Sequence, residues 1–383
     1  MRALLTVDPA DWRAVHTALR ARLEHDGPAV FPADADDAPE TVDAGIALVI
    51  QTSGSTAHPK RVLLSERALR ASAQATDAAL GGAGQWLLCL SPAYIAGAQL
   101  LARSILASTD PVAGPLAAFE ASSFAGAVAA MTGARRYTAL VPAQLARLVE
   151  AGQAVAAVRD AVAGLDAVLV GGQALAASTA SRARELGYRI VRTYGSSETA
   201  AGCVYDGRAI GDTRLRVIDG VLEVSGPTVA NGYLADPDAT AAAFRVDDGV
   251  RWYRTGDRAE LDPGGRLRVL GRADDVIVSG GVKVSLGRVE AVVRELPGLA
   301  EAVVVRAASQ EWGEVPVVVV AGEASAGLGE LRAHVGSVLG AAARPARVVS
   351  LRALPLVATG KPDRRALEAL VAAPDGAHPP VVE

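Results

Sequence analysis

From residue 46 to residue 195 the chain repeats one pattern, a short apolar run followed by a stretch of helical periodicity. The runs are "IALVIQ" (46–51), "QWLLCL" (85–90), "YTALV" (137–141), "AVLVG" (167–171) and "RIVRTYG" (189–195). Between them, Ser65 stands where it can cap a helix running to Leu80, and a second helical stretch covers Ala98 to Leu106. Alternation of this kind predicts an α/β architecture, a mostly parallel sheet with helices on both faces. In open sheets of that type, ligands bind outside the carboxyl ends of the strands. The residues that follow each apolar run are therefore the ones to search for chemistry.

The pattern stops at Gly202. "RLRVID", "VLEVSG", "RWYRTGD", "RAELD" and "RLRVLG" read as short strands separated by Gly and Asp turns, a small antiparallel β subdomain. A boundary follows at "GRADD" (271–275), dividing a large N-terminal domain, 1–273, from a small α+β domain, 274–383. The small domain reads as a helix from Leu286 to Leu296, the strands "EAVVVRA" and "VPVVVVAG", a helix over 328–340 and a short terminal helix. Its Pro-rich end, from about residue 372, is expected to be disordered. The first 45 residues read as a polar lead-in with one helix, Ala10 to Leu23.

Composition excludes several partners. Net charge is −4 with both signs interspersed, so no basic patch invites nucleic acid. No apolar run approaches the roughly 20 residues of a membrane span, and "MRALLTVDPADW" turns acidic too early for a signal peptide. A cytoplasmic protein is expected, with Cys89 and Cys203 as buried reduced thiols. The oligomeric state stays open, a homodimer included. Of the 38 lysines and arginines only three are lysine: Lys60, Lys283 and Lys361. A lysine kept against such a bias marks a place where a compact ammonium serves and a planar guanidinium does not.

All three lie in motifs. "QTSGSTAHPKRV" (51–62) follows a strand and offers hydroxyls, backbone N–H groups and Lys60, the materials of a phosphate-wrapping loop. It is not a Walker loop, because Pro59 precedes the lysine and Arg61 follows it. "RTYGSSETA" (192–200) ends a strand with an aromatic, a glycine, two hydroxyls and a carboxylate. "WYRTGDRAELD" (252–262) sets Asp257 at a tight turn, where a carboxylate can accept from both hydroxyls of a ribose. "VLGRADDVIVSGGVKVSLGRVE" (269–290) combines a basic residue, two carboxylates and a Gly-Gly turn, and "LPLVATGKPDRRAL" (354–367) presents Lys361 beside a glycine.

In this order the five segments resemble the core motifs of the adenylate-forming superfamily, which comprises acyl-CoA synthetases, peptide-synthetase adenylation domains and luciferases. The resemblance covers about residues 46 to 368. It implies a large domain that binds ATP and a carboxylic acid and a small mobile domain that rotates between two half-reactions. The acid attacks the α-phosphate to give an acyl-adenylate and pyrophosphate, and a thiol, coenzyme A, then takes the acyl group. Thr52, Ser53, Gly54, Ser55, Thr56 and Lys60 match the phosphate loop, with Ala57 and Arg61 as departures; Arg61 is expected to add charge without removing any. Tyr194 matches the aromatic against adenine and Gly195 the close approach of the nucleotide. Ser197 matches a hydroxyl near the α-phosphate, Glu198 the Mg²⁺ ligand, and Asp257 with Arg272 the ribose grip. Lys361 matches the catalytic lysine that bridges acid and α-phosphate. The pivot falls at Asp274 or its neighbour Asp275, Gly280 and Gly281 match the turn that lines the thiol tunnel, and Lys283 is either a solvated helix start or a contact to CoA phosphate.

For the acid, "LSPAYIAGAQLLARSI" (90–105) resembles the corresponding segment of o-succinylbenzoate–CoA ligases, enzymes of menaquinone biosynthesis, at Pro92, Ile95 and Gly97. Tyr94 stands where that branch has histidine; it can donate a hydrogen bond but carries no charge at neutral pH. Gly171 and Gly172 are further pocket candidates. Arg103, basic on an otherwise apolar helix, either meets a second substrate carboxylate, or snorkels to the surface or pairs with a carboxylate of the protein. The resemblance leaves room for a ligase of another aryl or acyl acid, for a carrier-loading adenylation protein, and for a non-catalytic nucleotide-binding relative. A dehydrogenase is disfavoured, since no Gly-x-Gly-x-x-Gly opens a helix in the first 200 residues.

Overall fold

The computed structural model describes residues 1–35, 37–52, 60–116, 118–356 and 362–372. Two sheets face each other across buried helices. The first has six strands in the order Gly232–Tyr233, Lys60–Ser65, Ile46–Thr52, Ala29–Phe31, Arg2–Thr6 and Thr41–Val42. Its two inner pairings are parallel and the rest antiparallel. The second has seven strands: Arg208–Ala209, Ala201–Tyr205, Ile190–Ser196, Ala167–Val170, Arg136–Leu140, Gln85–Leu88 and Val112–Ala113. From Ile190–Ser196 to Val112–Ala113 every neighbour is parallel.

The alternation is thus realised most fully in the second sheet. Its outer face carries Ala121–Ala129, Pro142–Ala154, Ala156–Ala163 and Ala177–Glu185. The helices Trp12–His25, Glu66–Leu80 and Ile95–Leu106 fill the space between the sheets, sharing one core that includes Leu19, Ile50, Leu69, Trp86, Leu101 and Leu169. Parallel strands covered on both faces have no wet side, which is why these runs are apolar throughout rather than alternating. Ser65 caps its helix, accepting from the Ala68 N–H at 3.2 Å, and Gly81 closes it in the left-handed conformation.

Three expectations need correction. The first 45 residues are no mere lead-in: they supply three strands of the first sheet. These are two to five residues long, and Arg2–Thr6 buries little, so no periodicity announces them. The helix expected from Ala98 starts at Ile95. Gly97 lowers the helical signal there, yet a Cβ at this position would lie 2.3 Å from the Ser91 carbonyl oxygen. Finally, "RWYRTGD" and "RAELD" form a single strand, Val250–Leu261, so Asp257 sits inside a ladder opposite Arg272 rather than at a turn. The irregularity is absorbed by Gly256 at φ +75° and by a register shift after Arg258.

That strand belongs to a third, antiparallel sheet with Arg214–Ile218, Val221–Ser225, Phe244–Asp247 and Leu267–Arg272. The fourth sheet uses only later residues: Val282–Ser285, Val276–Ser279, Gly313–Ala321, Val303–Ser309 and Arg347–Leu351. Its valines alternate as a strand requires. Val304 and Val318 face Leu286–Val293 and Leu328–Leu339, while Val303, Val305 and Val317 face Arg364–Ala372. Among the described residues no helix is long and apolar enough to cross a membrane.

In the third sheet Glu223 is fully buried and meets Arg216 at 2.9 Å, Arg245 at 2.5 Å and Arg254 at 3.4 Å. Removing a buried partner from such a cluster costs about 3 kcal/mol. Glu223→Ala is expected to lower the unfolding free energy by that order in urea titration; a loss below 1 kcal/mol would show that the three guanidinia are satisfied without it.

Candidate adenylation site

The strand Ile190–Ser196 ends in the motif that carries most of the polar groups. At Tyr194 and Gly195 the ladder with Ala201–Tyr205 slips register, and the backbones close on each other. A Cβ on Gly195 would lie 2.0 Å from the Ala201 carbonyl oxygen, so only glycine fits. Ser197–Thr199 makes one 3₁₀ turn, and the chain leaves it through Ala200 and Ala201 with φ of 50° and 81°. Two successive non-glycine residues in the left-handed region cost of order 1–3 kcal/mol each, and such strain collects at functional sites. Ser72, from the helix between the sheets, donates to the Ala200 carbonyl at 2.7 Å and pins the turn.

This turn places Glu198 in the interior, 8% exposed. The Tyr233 hydroxyl, from the edge of the first sheet, donates to Glu198 Oε1 at 2.9 Å. Among the described residues no lysine or arginine forms an ion pair with Glu198. Burial, and then the Glu198 carboxylate, push the Tyr233 phenol far up, and Tyr253 beside it is raised for the same reasons. Lys60, on the strand leaving the proposed phosphate loop, lies with Nζ 4.8 Å from the centre of the Tyr233 ring. Thr52, opposite Lys60 in the ladder, donates to the Lys60 carbonyl at 3.2 Å.

The third sheet supplies the other side. The Tyr194 hydroxyl donates to Asp257 Oδ2 at 2.6 Å, and Arg272 Nη1 approaches Asp257 Oδ1 at 3.6 Å. Burial raises the Asp257 carboxyl above the usual range despite help from Tyr194 and Arg272. Burial and the Asp257 charge likewise raise Tyr194. Arg272 grips both oxygens of Asp274, with Nε at 3.0 Å and Nη2 at 3.1 Å, and donates to the Thr255 carbonyl at 3.1 Å. Although burial opposes it, that grip holds Asp274 below the usual carboxylate range. The Asp274 carbonyl accepts from Arg306 of the fourth sheet at 2.7 Å.

The pocket candidates follow the next strands of the second sheet. Gly171 and Gly172 follow Ala167–Val170; a Cβ on Gly171 would meet Thr193 Oγ1 at 2.3 Å, and Gly172 has φ +84°. Tyr94 is the N-cap of Ile95–Leu106, its phenol raised by burial. Three strand spacings, about 14 Å, separate the strand that carries Tyr194 from Gln85–Leu88, the strand that leads to Tyr94.

Some expectations are not met here. Arg103 lies nine residues along the helix from Tyr94, about 13 Å. It packs over Trp86 at 5.1 Å, at the opposite end of the sheet, and neither snorkels nor joins the site; its charge acts on Asp77, while Nε and Nη2 are buried without a hydrogen-bond partner among the described residues. Arg61 adds no free charge, because it pairs with Asp37, lowering that carboxyl, and lies over Phe31 at 5.4 Å. Gly280 and Gly281 form the hairpin turn after Val276–Ser279 with φ of 54° and 80°; a Cβ on Gly280 would meet the Trp312 ring at 2.6 Å. Ser53, Gly54, Ser55, Thr56, Ala57 and Lys361 lie outside the described residues. Cys89 and Cys203 are free and buried, their thiols pushed up to about 12.

The sequence reading missed Tyr233, Tyr253 and Gln144. Gln144 joins two strand ends: its Nε2 donates to the Cys89 carbonyl at 3.1 Å and its Oε1 accepts from the Val141 N–H at 3.0 Å. Tyr233 stands in "NGYLADP", where nothing but an isolated Gly-aromatic pair hints at it. A cleft of about 510 Å³ between Ala121–Ala129 and Ala156–Ala163 lies on the outer face of the second sheet and contains none of these groups.

The family described as AMP-binding enzyme matches residues 5–234, and its C-terminal domain matches residues 288–361. The chain belongs to the AMP-binding enzyme family. It is 40% identical over 337 residues to a Mycobacterium tuberculosis protein named "Probable 2-succinylbenzoate--CoA ligase", covering 86% of this chain and 85% of that one. The o-succinylbenzoate CoA synthetase of Bacillus subtilis, solved with an acyl-adenylate, superposes with a TM-score of 0.73 at 25% identity, over 95% of this chain and 78% of that one. An amide bond synthetase from Marinactinospora thermotolerans gives 0.73 at 25% identity, covering 97% and 80%. The mixed α/β architecture with a smaller C-terminal domain is that of the AMP-binding fold.

Two outcomes follow from this geometry. Gly195→Ala should either unfold the protein several degrees earlier or displace the 201–202 backbone, read as a loss of nucleotide affinity; wild-type values for both would refute the close approach. Ionised Asp257 costs stability, absent at low pH and complete once pH exceeds its raised pKa. Asp257→Asn should therefore melt no lower than wild type at pH 7, its advantage shrinking as pH falls toward about 4, near the ordinary carboxylate value. A clear drop in Tm at pH 7 would contradict that sign.

Proposed function

We propose that this protein is an ATP-dependent 2-succinylbenzoate–CoA ligase, a catalyst of menaquinone biosynthesis. A buried Glu198 with no cationic partner among the described residues, on the turn that follows the strand carrying Tyr194, whose hydroxyl meets Asp257, carries the adenylation reading. The 40% identity across nearly the whole chain supports the acid. A carboxylate oxygen attacks the α-phosphorus, a P–O bond forms, and the α–β bridge bond breaks to release pyrophosphate. The CoA sulfur then attacks the acyl carbon, a C–S bond forms, and the C–O bond to AMP breaks.

Tyr194 packs on adenine while its hydroxyl orients Asp257 to accept from the ribose, and Arg272 shares that grip. Thr52, Ser53, Gly54, Ser55, Thr56 and Lys60 hold the β- and γ-phosphates, with Ser197 beside the α-phosphate. One carboxylate and no cluster of three metal-binding side chains among the described residues suit Mg²⁺, which keeps most of its shell as water and phosphate oxygen. Glu198 would hold it, and the ion neutralises phosphate charge when bound. Tyr94, Ile95, Gly97, Gly171 and Gly172 bound the acid. Lys361 enters from a small domain, 274–383, that turns about Asp274 against 1–273, and Gly280 and Gly281 then line the thiol path. ATP and CoA are intracellular, so we take the cytoplasm as the compartment.

Tyr94 in the histidine position favours a second reading, a ligase for a related aryl acid. Pyrophosphate release across a panel of acids, with and without CoA, separates the two. Expected is turnover on 2-succinylbenzoate that requires CoA and falls by about 10²–10³ in Lys361→Ala. Lys361-dependent turnover on another acid only would keep the chemistry and replace the substrate. No turnover on any acid would refute both.

A further inference from the structure

We infer that Tyr233 is a positioning residue that sets Glu198 and Lys60 at a fixed separation and keeps them from pairing with each other. The inference rests on reading Glu198 as the Mg²⁺ ligand and Lys60 as a phosphate contact. Tyr233 reaches both with different parts of one side chain. Its hydroxyl donates to Glu198 Oε1 at 2.9 Å, committing one carboxylate oxygen and leaving the other for the ion. Its ring face seats the Lys60 ammonium at 4.8 Å, a cation–π contact.

The ring has little freedom. Gly232–Tyr233 pairs with Lys60–Ser65, with Tyr233 opposite Val62, so the tyrosine sits on the strand bonded to the one that carries the lysine. The Tyr233 N–H donates to Thr240 Oγ1 at 2.9 Å, and a side chain at Gly232, φ +146°, would meet Thr240 Cγ2 at 2.6 Å. Phe244 packs edge-on against the ring at 5.6 Å and stacks on Tyr253 at 5.1 Å. With 6% of its surface exposed, Tyr233 is held by packing and presents its hydroxyl at one place.

The spacing has a purpose in charge terms. A lysine and a buried carboxylate in direct contact would neutralise each other, and neither would then be free for phosphate or metal. An aromatic ring between them attracts the cation weakly and gives the anion a neutral donor. Both charges stay available. A partner that orients a metal-binding side chain typically contributes 10- to 100-fold in metal affinity.

The test is the affinity of a non-hydrolysable ATP analogue, by calorimetry, with Mg²⁺ and with EDTA. Tyr233→Phe keeps the ring and removes the donor; its affinity should fall about tenfold with Mg²⁺ and stay unchanged in EDTA. Tyr233→Leu removes ring and donor and should weaken binding in both conditions. Glu198→Gln serves as reference and should abolish the gain that Mg²⁺ brings. Wild-type binding by Tyr233→Phe beside a weakened Glu198→Gln overturns the inference and leaves the metal reading standing. Equal weakening of Tyr233→Phe in both conditions also overturns it, since the hydroxyl would then be structural. Wild-type Mg²⁺ dependence in Glu198→Gln sinks the metal reading and the inference with it.

Discussion

A carboxylate buried beside a single tyrosine hydroxyl, with no cation paired to it among the described residues, is an expensive thing to build. The centre of this protein is arranged around one. Three sheets meet there: the second supplies Glu198, the first Tyr233 and Lys60, and the third Asp257 and Arg272. The nearby cations are directed elsewhere. Lys60 rests on the Tyr233 ring, Arg272 on Asp274, and Arg61 on Asp37. What results is a buried carboxylate held by a neutral donor while the nearby cations are engaged with other groups.

Stability is given up around it. Ala200 and Ala201 hold left-handed backbone that their Cβ atoms disfavour, and burial raises Asp257 so that its ionised form is the costly one. The compensation comes from the helices between the sheets. Ser72 ties down the strained turn, and Thr76 shares a hydrogen bond with Tyr205 at 2.9 Å one strand further on. Glu66–Leu80 begins where the strand Lys60–Ser65 ends. One helix thus links the end of the strand Lys60–Ser65 to the turn that carries Glu198.

The alternating runs made the second sheet and its helices readable, because each strand there is buried on both faces and therefore uniformly apolar. The segments that hold Tyr194, Gly195, Glu198, Asp257 and Arg272 were legible as motifs because they stand at or beside recognisable apolar runs, but the turn expected at Asp257 is a strand interior. Arg103 misled because its sequence neighbourhood resembles a pocket segment, whereas helical rise carries it to the far end of the sheet. The strands of the first 45 residues were invisible because strands of two to five residues are too short to leave a periodic trace. Arg61 looked like added charge because Asp37, which neutralises it, is 24 residues away.

By itself the sequence determined the α/β class, the order of the motifs, and which residue types could serve a nucleotide, because hydrophobic period and local backbone preference are written residue by residue. It determined Gly195 as glycine but not the reason, the Ala201 carbonyl 2.0 Å from where a Cβ would be. Only the tertiary structure decided that Tyr233 touches both Lys60 and Glu198, that Asp257 lies within a ladder, and that Arg103 points away. Those are contacts between residues 15 or more positions apart on different elements, and their partners are chosen by how sheets and helices pack.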